Sequence, residues 1–161
     1  MKQLLLAAAL AMIAAQGNAL SCLRPDPIET FQRLAAAPES YFVLYGQLTF
    51  DEAELPAGVL TNQTRAPDPI AARFAGNGLS RDGFTIDYHS DVTLQIECGG
   101  PWCGSARSGV DAVYFVAASD PPVTMQAGPC GGMIFEEPSA AVIEMLTSCM
   151  QGGACSPQPL Q

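Results

Sequence analysis

Six cysteines constrain the fold of this chain more than any other feature of its sequence. They are Cys22, Cys98, Cys103, Cys130, Cys149 and Cys155. An even number of cysteines in an exported protein is typical of a disulfide framework. We therefore expect three disulfides, but six cysteines allow fifteen pairings and the spacing alone does not choose among them.

The first nineteen residues, MKQLLLAAALAMIAAQGNA, explain why the chain is expected to be exported. Lys2 supplies a positive start, an uncharged apolar run follows, and small residues stand before position 20. This pattern predicts a signal peptide cleaved between Ala19 and Leu20. The apolar run is too short to span a bilayer, although an uncleaved anchor is the alternative. The protein is then periplasmic or extracellular, with one domain over 20–155 and a disordered tail over 156–161.

The charge balance limits the possible partners. The chain has a formal net charge of −9, and loss of Lys2 leaves arginine as its only residue type with a formal positive charge at pH 7. Such a surface repels nucleic acid and anionic membranes, so neither is an expected partner. No further apolar run is long enough to cross a membrane. We expect a monomer that binds an unidentified protein or small ligand without a cofactor.

Periodicity predicts a mainly β fold with a helix near each end. Asp26 and Ser139 are candidate N-caps of these two helices, and Gly152 and Gly153 would stop the second. Between them, strand signals fall in YFVLYGQLTF, IAARFAGNGLS, DGFTIDYHSD, VTLQIEC, DAVYFVAAS and PPVTMQAGPCGG. Gly46 in the first strand indicates a bend or bulge. About five strands at short spacing favour a small closed barrel, in which VTLQIEC would point Cys98 to the core side and PPVTMQAGPCGG would end at Cys130.

The stretch CGGPWC raises the question of redox chemistry. A thioredoxin-type site places two cysteines two residues apart at the start of a helix. Here four residues separate Cys98 from Cys103, the segment follows a strand, and no helical pattern comes after it. We interpret the pair as a structural disulfide, with Trp102 packed over it, and keep a thiol-redox role as the alternative.

The metal and hydrolase alternatives depend on the single histidine, His89. Asp87, His89 and Asp91 alternate and would share one face of a strand, which makes them candidate metal ligands or an acid/base group. A solvent-facing strand surface is the favoured interpretation, and no metal site is assigned. No G-x-S-x-G motif is present. Glu136 and Glu137 are adjacent and would diverge on a strand, so no catalytic residues are assigned.

The order of these motifs resembles a known module. An early cysteine in SCLRP and a short helix are followed by YFVLYGQLTF, VTLQIEC, VYFVAAS and VTMQAGPCGG. This order is similar, over about residues 20 to 135, to the netrin-like module of the tissue inhibitors of metalloproteinases. The resemblance implies a five-stranded barrel of the oligonucleotide/oligosaccharide-binding type (OB-fold), with the N-terminal segment tied by disulfides to later strands.

The resemblance also implies a disulfide pairing. A bridge from Cys22 to Cys130 would correspond to the tie between the N-terminal segment and a late strand, leaving Cys98–Cys103 and Cys149–Cys155 as local clips. The inhibitors begin with Cys-x-Cys, whose first cysteine grips a catalytic zinc. Here no cysteine stands at position 20 or 24, and two residues would precede Cys22. Metalloproteinase inhibition is therefore not implied.

These observations favour an exported, disulfide-stabilised binding module without an evident catalytic constellation. Its contact surface is predicted on the barrel face and the long loop over 54–70, because loops of that length are often functional. An exported enzyme or a redox or metal-handling protein using Cys98, Cys103 or His89 is the alternative.

Overall fold

The computed structural model describes residues 22–56 and 67–157. The predicted signal peptide, its cleavage site at Ala19 and Leu20, and residues 158–161 of the tail lie outside the described residues. Residues 57–66, most of the predicted contact loop, lie outside them as well. In chain order the elements are helix α1 (Pro27–Ala35), β1 (Tyr41–Thr49), a 3-10 turn (Glu52–Glu54), β2 (Ile70–Ser80), β3 (Gly83–Ile96), β4 (Cys98–Gly99), β5 (Trp102–Cys103), β6 (Asp111–Ala117), β7 (Val123–Ala127), β8 (Ile134–Glu136) and helix α2 (Ala140–Met150).

The main sheet is a curled half-barrel with the strand order β7-β3-β2-β1-β6-β8. β1, β2 and β3 form an antiparallel meander, and β6 returns to pair antiparallel with β1. A fourth strand placed beside the first is the Greek-key arrangement. β7 then adds parallel to the far edge of β3. The mainly β class predicted from the sequence is confirmed, and the sheet has the partly open Greek-key form described for OB-type barrels.

Two details of the predicted barrel are wrong. The sheet has six strands rather than five, because the three residues of β8 pair with β6. A strand this short has no periodic signal in the sequence and is fixed by its tertiary partner. The barrel is also not closed by backbone pairing. β6 has β1 on one edge and β8 on the other, so β7 lies next to β6 without joining it.

A pair of glycines allows the sheet to curl. Gly46 of β1 stands directly opposite Gly76 of β2. A Cβ atom on Gly46 would lie 2.3 Å from the carbonyl oxygen of Ala75, and one on Gly76 would lie 2.3 Å from that of Tyr45. The backbones therefore approach more closely than any side chain permits. The bend or bulge predicted at Gly46 does not appear as a shift in register, which continues through Gly46 on both edges of β1. The register shift between β2 and β3 lies instead between Gly78 and Leu79.

The concave face of the sheet holds the main core. Alternate residues of every long strand point inward, in keeping with the two-residue period of strands. The fully buried side chains on this face include Leu48, Phe74, Leu94, Ile96, Tyr114 and Met125. Phe74 and Tyr114 meet edge to face, with ring centroids 5.4 Å apart.

The two helices cover part of the convex face and form a second core. Ile28 and Leu34 of α1 and Leu146 of α2 pack on outward-pointing residues of the sheet, such as Val113 and Phe115 of β6. β6 is thus buried on both faces, which explains why its sequence is continuously apolar. Leu146 and Ile28 are fully buried, so each of the two predicted helices packs apolar side chains against the sheet.

Both helix starts agree with the sequence prediction. The Asp26 carboxylate accepts hydrogen bonds from the amides of Ile28 and Glu29, at 2.7 and 3.0 Å. The Ser139 side chain accepts from the Val142 amide. Gly152 has a φ of 77° and ends α2, as predicted.

The strand boundaries differ from the prediction at two places. The segments DGFTIDYHSD and VTLQIEC form one strand, β3, because pairing with β2 continues through Ser90 and Asp91 and overrides their low strand propensity. Val92, Leu94 and Ile96 are buried as expected, but β3 ends at Ile96 and Cys98 begins the next hairpin. Likewise β7 ends at Ala127, so Cys130 lies in the turn that follows.

The described chain contains three disulfides: Cys22–Cys130, Cys98–Cys103 and Cys149–Cys155. The first ties the segment before α1 to the turn after β7, across 108 residues of sequence. The second joins opposite residues of the β4–β5 hairpin. The third clips the end of α2 to the segment that follows it. These are the pairings that the netrin-like resemblance implies.

Candidate functional site

One end of the half-barrel carries two exposed, large apolar side chains. At this end β1 begins, β2 ends and β3 begins. Phe42 of β1 is 52% exposed and Ile86 of β3 is 56% exposed. Both lie on the concave face, because Phe42 is two residues from the buried Leu44 and Ile86 stands opposite Gly78, which pairs with Leu44. The apolar interior of the sheet therefore continues out to solvent at this rim.

Between these side chains lies a small apolar lobe of about 200 Å³. Leu44 and Gly78 form its floor, and Phe42, Ile86 and Tyr88 form its walls. A Cβ atom on Gly78 would come within 3.4 Å of Ile86 and 3.7 Å of Leu44. The absence of a side chain at this position therefore keeps the lobe open.

A second lobe of about 360 Å³ lies where the end of α1 meets β1. Phe31, Leu34 and Pro38 line it on the helical side, and Phe115 lines it on the sheet side. Tyr41, Val43 and Met150 border both lobes. We refer to the two lobes together as the rim groove. It is framed by strands and helices of the folded core, and among the described residues that line it Glu39 alone is charged.

The predicted His89 cluster is only partly assembled. Asp87, His89 and Asp91 share the exposed convex face of β3, as predicted. The Nε2 atom of His89 lies 2.8 Å from a carboxylate oxygen of Asp87, but Asp91 pairs with Arg73 at 3.0 Å instead. All four side chains are more than half exposed. Among residues 22–56 and 67–157, no group of three His, Cys, Asp or Glu side chains is placed to hold a metal ion.

The CGGPWC stretch forms the β4–β5 hairpin, with Cys98 bonded to Cys103. Gly100 has a φ of 62° in its turn. The Glu97 amide donates to the Ala127 carbonyl, and the Gly104 amide donates to the Glu97 carbonyl. The hairpin is thereby fixed against the end of β7. Trp102 is 39% exposed at its tip.

The expectation that Glu136 and Glu137 diverge is wrong. Glu136 ends β8, and Glu137 has a φ of 51°, which turns it back toward the same cation. Arg107 donates to Glu136 at 2.7 Å and to Glu137 at 2.5 Å. The two carboxylates raise the pKa of Arg107 above its usual value. The adjacent Ser108 amide donates to Glu52, so the network fastens the loop before β6.

Tyr114 is a titratable side chain that lies buried in the core of the concave face. Burial raises its pKa to about 12, and a hydrogen bond with the Leu48 backbone acts in the opposite direction. Its ring is packed between other core side chains and does not reach the rim groove. We assign it a structural role.

Comparison with known proteins does not assign a function to this site. No protein-family model matches the chain, and neither a curated protein nor a solved structure gives a significant match. Within the described part of the chain, no helix has both the length and the apolar character needed to cross a membrane.

No pattern in the sequence marks the rim groove. Phe42 sits in an aromatic run in which both strand faces are apolar, so the pattern does not show which aromatic side chain remains exposed. Ile86 carried a weak signal, since it is the one aliphatic residue in the polar segment TIDYHSD. Its exposure depends on where the core of the concave face ends along β3, which is a property of the fold.

Proposed function

We propose that this protein is an exported, disulfide-stabilised binding module that holds its partner through the rim groove. The observation that carries the proposal is the pair Phe42 and Ile86, exposed above an apolar groove on a strongly acidic chain. Residues with exposed apolar side chains beside a preformed depression are typical of binding hot spots. The signal-like N-terminus and the three disulfides support export.

The site favours binding over catalysis. Apolar and aromatic side chains line both lobes of the rim groove, and the His89 pair lies outside the groove on an exposed stretch of β3. The groove is also built on strands and helices, which preorganise it and so reduce the ordering cost of association. The proposal is independent of the netrin-like resemblance, which adds only that barrels of this type commonly serve as binding scaffolds.

Site-specific photo-crosslinking tests the proposal. p-Benzoylphenylalanine would replace Ile86 in one variant and Leu23 in another, since Leu23 is 91% exposed but lies outside the groove. The oxidised protein is irradiated in the exported fraction in which it is produced. We expect a discrete adduct from position 86 that excess wild-type protein competes away, and none from position 23. Equal labelling at both positions, or turnover of a substrate that depends on His89, would overturn the proposal.

A further inference from the structure

We infer that the rim groove binds a basic peptide segment with two apolar anchor residues, belonging to a protein partner. This inference rests on the proposed function and specifies the chemistry of the partner. Two observations carry it: the division of the groove into two lobes, and the charge of the loops that surround it.

The shape of the groove favours a peptide over a small molecule. Its lobes measure about 200 and 360 Å³, at or below the lower end of the roughly 300–1,000 Å³ of typical small-molecule sites. Phe42 and Ile86 remain more than half exposed, so the lobe beside Ile86 is an open depression rather than an enclosed cavity. Tyr41 and Met150 separate it from the second lobe while bordering both. Two neighbouring depressions suit two side chains presented by one chain.

The charges around the groove favour a cationic partner. Three loops meet at this end of the sheet, at 36–40, 81–82 and 118–122, and the Ala118 amide donates to the Ser40 carbonyl to hold two of them together. They carry Glu39, Asp82 and Asp120 against a single base, Arg81. The chain as a whole has a net charge of −9. Its field therefore attracts basic segments and repels acidic ones.

The opposite end of the sheet offers a control for the charge argument. Glu54 follows β1 and Glu97 follows β3, so both lie at the end far from the rim. Both are exposed, as are Glu39 and Asp120. Neutralising either pair removes the same number of charges, but only the pair Glu39 and Asp120 lies in the loops at the rim end of the sheet.

Three labelled nonapeptides test the inference by fluorescence anisotropy with the full, oxidised chain. The first has two phenylalanines and four lysines, the second replaces the lysines with glutamates, and the third replaces the phenylalanines with serines. We expect the first to bind saturably and at least tenfold more tightly than either of the others. Added salt should weaken it, because the attraction is partly electrostatic.

Substitutions in the protein test whether the first peptide binds at the rim groove. Ile86→Ser and the double variant Phe42→Ser/Ile86→Ser should each weaken the first peptide at least tenfold, and Leu23→Ser should not. Glu39→Gln/Asp120→Asn should weaken it more than Glu54→Gln/Glu97→Gln does. Equal binding of the lysine and glutamate peptides would overturn the charge assignment. Equal binding of the phenylalanine and serine peptides, or no effect of Ile86→Ser, would overturn the groove as the site.

These outcomes are distinguishable from failure of the proposed function. A crosslink from position 86 together with no preference for lysine would leave a binding module whose partner is not basic. Absence of that crosslink in the exported fraction would overturn the proposed function as a binding module, independently of the peptide-binding results.

Discussion

The two ends of the half-barrel are built differently. At the end where β3 and β7 finish, Cys22–Cys130 and the Cys98–Cys103 hairpin close the chain on itself, and Arg107 fastens the loop before β6. We call this the stapled end. At the rim end, the strands finish with Phe42 and Ile86 open to solvent. The contrast indicates that covalent ties hold the fold at one end while the other keeps an apolar surface available for contact.

The third disulfide marks the boundary between these arrangements. Cys149–Cys155 clips the end of α2, where Met150 borders the rim groove. The Gln151 side chain donates to the Arg81 carbonyl at 2.7 Å, and the Gln32 side chain donates to the Cys155 carbonyl at 2.5 Å. The helical layer is thus positioned over the rim by hydrogen bonds as well as by a short disulfide loop.

Removing the Cys22–Cys130 disulfide should have the largest effect on stability. In the chain-entropy description, a bridge that closes 108 residues contributes roughly 5 kcal/mol, and a bridge between residues six apart contributes roughly 2 kcal/mol. We therefore expect Cys22→Ser/Cys130→Ser to lower the free energy of unfolding more than Cys149→Ser/Cys155→Ser. Urea unfolding of both variants measures the difference. Equal losses would show that the stapled end does not dominate stability.

The glycine pair that links the two ends gives the next largest effect. Gly46→Ala places a methyl group 2.3 Å from the Ala75 carbonyl oxygen, so the strands must separate. We expect a loss of about 3 kcal/mol, at the upper end of typical overpacking costs. Gly128→Ala is the matched control, because its nearest atom would be a flexible carboxylate oxygen 3.6 Å away. Thermal unfolding of the two variants tests this, and a similar melting temperature would contradict the close approach.

The interior shared by both ends should respond to alkaline pH. The pKa of Tyr114 rises from 10.0 in the unfolded chain to about 12 in the fold. The folded state therefore retains this proton, and its contribution to stability is complete below pH 10 and is lost as pH rises through 12. We expect the loss to amount to roughly 2–3 kcal/mol, since each pKa unit corresponds to about 1.4 kcal/mol. Urea unfolding across this range, with Tyr114→Phe as the control, measures it; the same pH dependence in both proteins would exclude Tyr114 as the cause.

Features that depend on local sequence could be predicted, whereas features that depend on pairing between distant strands could not. The helix caps at Asp26 and Ser139 and the buried alternation of β3 follow from local chemistry, and the structure contains them. The strand β8 and the continuity of β3 through Asp91 depend on pairing with distant strands, which periodicity does not record.

The candidate site depended on tertiary structure in the same way. Phe42 and Leu44 have the same spacing and character in the sequence, yet one is 52% exposed and the other 4%. The difference arises because Leu44 packs within the core of the concave face, whereas Phe42 lies at the rim, outside that core. Arg107 and its two glutamates lie 29 and 30 residues apart in sequence, so their convergence also had no local signal.

Substitution at the rim should have the smallest effect on stability. Ile86 and Leu94 lie on the same strand and face, but Ile86 is 56% exposed whereas Leu94 is fully buried. Ile86→Ala should therefore lower the free energy of unfolding by less than about 1 kcal/mol, whereas Leu94→Ala should cost roughly 3 kcal/mol. Urea unfolding compares the two variants. A chain that needed Ile86 for folding would show similar losses, and the exposed rim would then be part of the core rather than a surface kept open for a partner.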